Sequence, residues 1–499
     1  MAQDDLSRYS IDADWSTHYI GGEWSETAGG ESMTVRDPST REPVTSVPRG
    51  NEIDVDVAYE AAATAQSEWA QTPPAHREEL VGNLLRTMDQ HSEEIVELLA
   101  TEAGQIEGIG ETSVQLAQDQ IAEAATMPRR MKGEHAASNI PGKENIVQRE
   151  PQGVVTVISP WNFPLNLSAR AIVPAVAAGN TVVVKPASNT PVAGGLLFGR
   201  LFEDAGFPDG VINVVTGRGS DIGDAVASHD ESDVVAFTGS TAVGRRVAAA
   251  AGENLAEAAM ELGGNNAHIV TADADLDQAV DAGVFGSFAH QGQVCISINR
   301  HLVHEEIYDE YVERMTERAE ALPAGSAHEH VVVGPIIDES QRDEILDYVE
   351  RTVEAGATLE TGGGTVDVDG VEDSLVVEPT VLSEVTNDMA AACNEHFGPV
   401  VPVIPFSDVD EAVEIANDTE FGLSGSVHAG DVGAGKRIAQ RLETGMVHVN
   451  DQPINDEAHV PFSGTGASGV GGYNTDEFLD EVTETKWISL QHDAREFPF

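Results

Sequence analysis

From Gly153 onward the chain alternates between short, apolar, β-branched runs and longer segments with helical spacing. Four runs are predicted to be strands, at residues 154–159, 181–185, 211–215 and 234–237. The helix-like segments between them include two that end at Gly179 and Gly206. Short apolar strands joined by helical crossovers are typical of a parallel sheet covered on both faces. The pattern therefore predicts a doubly wound α/β domain of a nucleotide-binding type.

A second alternating series follows Glu261 and predicts a second α/β domain. Its strand-like runs lie at residues 267–270, 300–304, 400–405, 425–428 and 446–450. Before Gly153 the first fifty residues predict short extended pieces, and residues 54–130 predict three helical stretches. Apolar side chains in these stretches are spaced three and four apart, as in Leu80, Leu84, Leu85, Met88, Ile95 and Leu98.

Two strand-like segments lack a core of their own, residues 132–151 and the tail at residues 484–491. Unpaired strand edges are templates for pairing with another chain. Both segments are therefore candidates for contacts between subunits.

The charge balance is extreme, since 27 basic residues face 85 acidic ones for a net charge of −58. A disordered acidic chain would be poor in apolar residues, but 41% of this one is hydrophobic, so the acids are expected to coat a globular protein. Such a coat needs strong screening, which indicates a halophile's enzyme. It excludes nucleic acid and anionic membrane as partners. Without a basic leader or a long apolar run, we expect a cytoplasmic protein.

The chain has two cysteines, Cys295 and Cys393, so a disulfide framework is excluded. A cysteine with apolar neighbours is usually inert core. Cys295, however, follows Gly-Gln-Val, and Glu261 lies in Met-Glu-Leu-Gly-Gly-Asn-Asn beside the predicted strand 267–270. A thiolate attacks carbonyl carbon, and a carboxylate can activate water as a second nucleophile.

Loops at the ends of predicted strands carry further polar groups. Asn162, between the prolines of Pro-Trp-Asn-Phe-Pro, can direct its amide at a developing oxyanion. Lys185 ends a strand, where doubly wound sheets bind ligands. Ser240 precedes a predicted helix, so it can cap that helix beside amides that hold a pyrophosphate. Gly217 opens a tight turn that resembles a dinucleotide fingerprint only weakly.

Late in the chain, Glu395 and Phe397 precede a Gly-Pro turn and could hold a ribose and a flat ring. Considered alone, each of these loops is also consistent with an ordinary turn. In order, the motifs are Pro-Trp-Asn-Phe-Pro, Val-Val-Lys-Pro-Ala, Phe-Thr-Gly-Ser-Thr, Glu-Leu-Gly-Gly, Gly-Gln-Val-Cys and Glu-His-Phe-Gly-Pro. The series resembles the aldehyde dehydrogenase superfamily, from about Tyr19 to Gln491.

The resemblance implies three parts and a homodimer or homotetramer. The cofactor domain would comprise residues 1–131 and 152–262, the catalytic domain residues 263–473, and a small β oligomerisation element residues 132–151 and 474–499. Cys295 would be the nucleophile, Glu261 the general base and Asn162 the oxyanion donor, with no metal. The implied cofactor-binding residues are Trp161, Lys185, Ser188, Gly217, Gly239, Ser240, Gly244, Leu262, Glu395 and Phe397. The implied substrate residues are Phe163, Arg170, Val294 and Ile296.

These roles imply an NAD(P)-dependent oxidation. The Cys295 thiolate adds to an aldehyde, and the main-chain amide of Cys295 and Asn162 hold the oxyanion. Loss of a hydride leaves a thioester, which water activated by Glu261 releases as an acid. Many NAD-preferring relatives carry glutamate where this chain has Ser188, so NADP should be tolerated or preferred. A family lysine is also replaced, by Gly466.

The sequence leaves two substrate classes open. The loop 453–462 and the tail resemble benzaldehyde, vanillin and salicylaldehyde dehydrogenases, which favours an aromatic aldehyde. Arg170 lies where some relatives recognise an anionic group, so a semialdehyde such as 2-oxoglutarate semialdehyde is the alternative. An acidic side chain could equally pair with Arg170. Relatives that pass the thioester to coenzyme A generally lack the glutamate at position 261, and a non-catalytic relative would not need Cys295.

Overall fold

The computed structural model describes residues 6–499 and confirms the predicted α/β architecture. The first sheet of these residues has eight strands, and its central five are parallel. In spatial order they are Glu23–Ser25, His18–Ile20, Ile212–Val214, Thr181–Lys185, Val154–Ile158, Val234–Thr238, Glu257–Glu261 and Gly469–Val470. The main helices that accompany this sheet are Pro164–Ala178, Leu197–Ala205, Gly219–Ala227 and Thr241–Glu253.

The second sheet has seven strands in the described chain, parallel except at one edge. In order they are Thr358–Thr361, Thr380–Ser383, Val400–Phe406, Ile298–His304, Asn266–Val270, Gly425–His428 and His448–Val449. The helices in this part of the chain are Leu276–Phe288, Tyr308–Glu320, Glu339–Glu354, Ala390–Cys393, Val409–Asn417 and Val432–Ala439. The predicted strands end within two residues of those observed, because continuous apolar runs mark strands that are buried on both faces.

The N-terminal part departs from prediction in its helices. Short strands precede them, including the hairpin of Ser32–Arg36 and Pro43–Pro48. Four helices then follow where three were predicted: Glu52–Trp69, Pro74–Gln90, Ser92–Ala103 and Glu107–Ala124. His91 separates the second from the third, so the apolar series from Leu80 to Leu98 spans two helices. The sequence did not predict the break at His91, because the helices on either side of it bury similar apolar stripes in one core.

A small antiparallel sheet joins the two segments that lacked a core. Thr483–Gln491 pairs along its whole length with Lys143–Pro151 of the same chain, and Glu134–Ala137 forms the other edge. Each segment is a candidate for pairing with another subunit, and within the chain the two pair with each other. The free edge of Thr483–Gln491 carries Trp487, whose surface is 67% exposed.

Two late segments lie with the first domain, although the predicted boundaries placed them elsewhere. Gly469–Val470 pairs with Glu257–Glu261 at the edge of the first sheet. Helix Thr475–Glu481 buries Phe478 and Leu479 in the hydrophobic core of that domain. Within residues 6–499, no helix combines the length and the apolar character needed to span a bilayer.

Candidate active site

Cys295 lies between the tight turn Ala289–Gly292 and the strand Ile298–His304 of the second sheet. Its thiol is free, and it lines two cavities that meet at this point. The larger cavity measures about 700 Å³ and the smaller about 250 Å³. Five residues line both: Asn162, Leu167, Arg170, Cys295 and Phe462.

The larger cavity brings together all four predicted substrate residues, Phe163, Arg170, Val294 and Ile296. Most of its remaining wall is apolar or aromatic. This part of the wall includes Ile109, Leu116, Val284, Phe285, Phe288 and Ile454. Such a lining suits a flat apolar molecule with few polar groups.

The turn before Cys295 has left-handed backbone at three successive residues, with φ of 47° at His290, 58° at Gln291 and 73° at Gly292. This conformation costs free energy where a side chain is present, so neighbouring contacts must stabilise it. His290 Nε2 donates to the main-chain carbonyl of Asn162 at 2.9 Å. A Cβ at Gly292 would lie 2.1 Å from the carbonyl oxygen of Gly398, so only glycine fits there.

Asn162 ends the loop that leads from the first sheet into helix Pro164–Ala178. Its main-chain carbonyl accepts hydrogen bonds from Gln105 Nε2 and His290 Nε2, both at 2.9 Å. Its side-chain Nδ2 donates to the carbonyl of Gln293 at 2.9 Å. A primary amide has two N–H donors, so one remains for an oxygen in the cavity. The arrangement can therefore stabilise a negative oxygen beside Cys295.

Glu261 ends strand Glu257–Glu261, whereas the sequence placed it only at the start of the next strand. It is buried, it lines the smaller cavity, and its Oε1 has no hydrogen-bond partner among residues 6–499. Burial raises the pKa of Glu261 to about 8. Burial, with the nearby carboxylates of Glu261 and Glu395, raises the pKa of the Cys295 thiol to about 12. Both groups therefore hold their protons more tightly than they would in water.

Arg170 lies on helix Pro164–Ala178 and has the acidic partner that the sequence left open. Its Nη2 forms an ion pair with Asp456 Oδ2, and its guanidinium stacks 4.2 Å from the centre of the Phe462 ring. The arginine side chain is 3% exposed. Arg170 thus contributes to both cavities as half of a buried ion pair.

Six of the ten predicted cofactor residues line the smaller cavity: Trp161, Gly239, Ser240, Leu262, Glu395 and Phe397. The rings of Trp161 and Phe397 meet edge to face, with centroids 5.4 Å apart. Glu395 Oε1 accepts a hydrogen bond from the amide of Gly264 at 2.9 Å. Burial raises the pKa of Glu395 to about 7.

Ser240 occupies the position before helix Thr241–Glu253, as predicted, but its side chain makes no capping hydrogen bond. The helix begins at Thr241, whose hydroxyl donates a hydrogen bond to the carbonyl of Ala467 at 2.9 Å. The first amides of this helix are left without side-chain partners from Ser240, as an anion site requires.

The other four predicted cofactor residues lie outside the lining of the smaller cavity. Lys185 is buried at the end of its strand, where its ammonium donates to the carbonyl of Pro186 at 3.0 Å. Burial lowers the pKa of Lys185 to about 8. Ser188 lines a separate cavity of about 400 Å³. Gly217 and Gly244 are packing positions, because a Cβ there would meet Ile222 at 2.6 Å and Leu262 at 2.2 Å, respectively.

Sequence reasoning did not identify four residues that position the site: Gln105, Asn266, His290 and Asp456. Asn266 ends the motif Met-Glu-Leu-Gly-Gly-Asn-Asn, Asp456 lies in the loop 453–462, and His290 lies two residues before Gly-Gln-Val-Cys. Residue type and position near a motif were only a weak signal that these four residues position the site. Their partners, such as Asn162 for Gln105, are distant along the chain, so only the fold reveals these contacts.

The chain matches the aldehyde dehydrogenase family over residues 24–488. It is 43% identical to the vanillin dehydrogenase of Corynebacterium glutamicum, over 96% of this chain and 98% of that protein. It is 42% identical to a benzaldehyde dehydrogenase of Bacillus subtilis, with the same coverage of 96% and 98%. A solved structure of betaine aldehyde dehydrogenase from Staphylococcus aureus, in complex with NAD+, has a TM-score of 0.95 and 32% identity, covering 100% of this chain and 99% of that one. The chain therefore belongs to the aldehyde dehydrogenase family.

Proposed function

We propose that this protein oxidises an aromatic aldehyde to its carboxylic acid, with NAD(P) as the hydride acceptor. The observation that carries the proposal is the position of Cys295, in the wall shared by an aromatic-lined cavity and a second, more polar one. The similarity to dehydrogenases named for vanillin and benzaldehyde supports the aromatic substrate class.

In the proposed reaction, the Cys295 thiol loses its proton to solvent through water. The thiolate adds to the aldehyde carbon in the larger cavity. The free N–H of Asn162 and the main-chain amide of Cys295 stabilise the resulting oxyanion, as preorganised donors do in acyl transfer. After hydride loss the acyl group remains on Cys295 as a thioester.

Glu261 then acts as the base for hydrolysis. Its raised pKa, about 8, makes it a proton acceptor suited to slightly alkaline solution. Its unpartnered Oε1 is free to bind the attacking water. Water addition releases the acid and restores the thiol of Cys295.

The residues of the smaller cavity fit a dinucleotide. A Cβ at Gly263 would lie 2.2 Å from Glu395 Oε2, so glycine there lets the backbone pass close to this carboxylate in the cavity wall. Glu395 and Phe397 would hold the nicotinamide riboside, Ser240 and the helix behind it the pyrophosphate, and Lys185 the adenosine ribose. When bound, the dinucleotide supplies the hydride acceptor. Ser188 carries no charge, so we propose that NADP is accepted.

We also propose that the enzyme works in concentrated salt and as a homodimer or homotetramer. The net charge of −58 supports the first statement, because such a surface repels itself in dilute buffer. The exposed edge of Thr483–Gln491, with Trp487 upon it, supports the second.

A spectrophotometric assay tests the proposed function. In 2 M KCl, benzaldehyde and vanillin should give absorbance at 340 nm with NAD or NADP, and Cys295→Ala should lose this turnover while it still binds the dinucleotide. Cys393→Ala is the matched control, because that exposed thiol lies outside both cavities. A Cys295→Ala variant that retained a tenth of the wild-type rate would contradict the assignment of the nucleophile.

A further inference from the structure

The charged residues in the wall of the larger cavity form two ion pairs. Arg170 pairs with Asp456 deep in the cavity, where the side chains are 3% and 8% exposed. Arg318 pairs with Asp281 at 2.5 Å, where the side chains are 52% and 60% exposed. The two pairs therefore differ in setting, because solvent screens the second pair and scarcely reaches the first.

Asp456 is held in place by more than Arg170. Its Oδ1 accepts a hydrogen bond from Asn474 Nδ2 at 3.0 Å, and its Oδ2 also receives Asn166 Nδ2 at 3.4 Å. Asn474 is in turn fixed by Gln120, whose Nε2 donates to Asn474 Oδ1 at 3.0 Å. A buried carboxylate held by this many donors does not move away from its cation.

Binding of an anionic substrate in this cavity would be unfavourable. To reach Arg170, a substrate carboxylate would have to displace Asp456 or share the guanidinium with it, and two buried carboxylates on one cation repel each other. Displacement would leave Asp456 buried without its cation, which is strongly destabilising. An uncharged aldehyde meets neither cost.

From this arrangement we infer that Asp456 determines the substrate class of the enzyme: by occupying Arg170, it makes the larger cavity selective for uncharged aldehydes over anionic ones. The inference rests on the proposed function, since it concerns the selectivity of that same reaction. Selectivity of this kind comes from a repulsive element rather than from added attraction. Removal of the Asp456 charge should then free Arg170 and admit carboxylates.

Two substrates of nearly equal shape test the inference, 4-formylbenzoate and its methyl ester. Assays in 2 M KCl screen the long-range field of the −58 surface, but not the buried pair. The wild type should prefer the ester at least fiftyfold in kcat/KM. Asp456→Asn, which is isosteric, should lower this ratio at least tenfold through a gain on 4-formylbenzoate. The double variant Arg170→Met/Asp456→Asn should lose that gain.

Asp277→Asn is the control, because it removes an exposed carboxylate that pairs with an arginine, Arg314, outside both cavities; it should change the ratio less than twofold. Asp456→Ser is a second variant in case the asparagine variant does not fold, with melting curves to verify the fold. A wild type that used both compounds equally well would overturn the inference, and this measurement needs no variant. So would a folded Asp456→Asn variant with an unchanged ratio. If the wild type oxidised neither compound nor benzaldehyde, the proposed function itself would fail.

Discussion

Asn266 donates from its side-chain amide to the main-chain carbonyl of Cys295 at 2.8 Å. The same amide reaches the carbonyl of Ser297 at 2.7 Å, and its Oδ1 accepts from the amide of Ser424 at 2.9 Å. One side chain at the start of strand Asn266–Val270 thus fixes the peptide that carries the thiol. Hydrogen bonds of this kind limit the motion of a reacting group, and a loosely held group reacts more slowly.

Glu261→Gln should separate the two halves of the reaction. We expect a burst of reduced dinucleotide, of up to one equivalent per site, followed by a rate at least a hundredfold below wild type. The amide cannot accept a proton from water, so the thioester on Cys295 persists. Rapid-mixing absorbance at 340 nm measures both phases. Steady turnover near the wild-type rate without a burst would show that another group performs the hydrolysis.

The ionisation of Cys295 should depend on Glu261. The carboxylate raises the pKa of the thiol, so Glu261→Gln should shift alkylation by iodoacetamide to lower pH. The difference from wild type should appear above about pH 8, where Glu261 is ionised, and disappear below it. The measurement uses the Cys393→Ala background, in which Cys295 is the thiol that remains. Profiles that coincide at every pH would mean that the two groups do not interact.

The raised pKa of Glu261 should also make the stability of the protein depend on pH. Because the pKa of buried Glu261 is raised above its ordinary value of 4.5, the native state binds the proton more tightly than the unfolded state. Wild-type stability therefore falls, through this group, as the pH rises from 4.5 toward 8. Glu261→Gln should melt at a higher temperature than wild type at pH 9, with a smaller difference at pH 5.

Ser188→Glu should shift the cofactor preference toward NAD. A carboxylate three residues beyond Lys185 would accept hydrogen bonds from the ribose hydroxyls and would repel a 2′-phosphate. We expect a change of at least about tenfold in the ratio of kcat/KM for NADP and NAD, or about 1.4 kcal/mol. Ser67→Glu is the control, since it adds the same charge at an exposed position of helix Glu52–Trp69. An unchanged ratio would mean that Ser188 does not face the ribose.

Stability should increase with salt. At a net charge of −58, self-repulsion opposes the compact state, and molar salt shortens the screening length to about 3 Å. We expect the melting temperature to rise steadily between 0.1 and 3 M KCl. A midpoint that stayed constant over this range would contradict the proposed adaptation to salt.

The parallel strands were predictable because a strand buried on both faces is a continuous apolar run, as in Thr181–Lys185. Glu257–Glu261 was not recognised as a strand, since its sequence Glu-Ala-Ala-Met-Glu has no β-branched residues. The capping hydrogen bond of Ser240 also did not form. In each case the surrounding fold, rather than local preference, determined the structure.

For the site, several of the predicted side chains lie close together, but the sequence did not show how they are held. Phe163, Val294 and Ile296 do line one cavity with Cys295, and Trp161 does meet Phe397. The partner of Arg170 could not be chosen from 85 acidic residues, because Asp456 is far from it along the chain. Spacing within a helix or strand is readable from sequence, but a pairing between distant segments requires the fold.

Helix Thr475–Glu481 has a consequence for how the protein is made. Phe478 and Leu479 fill the core of the first domain, and Gly469–Val470 completes the edge of its sheet. The ribosome synthesises these residues long after the strands that they cover. Part of the apolar surface of the first domain therefore stays exposed while the second domain is synthesised. Contacts between residues so distant in sequence also form slowly.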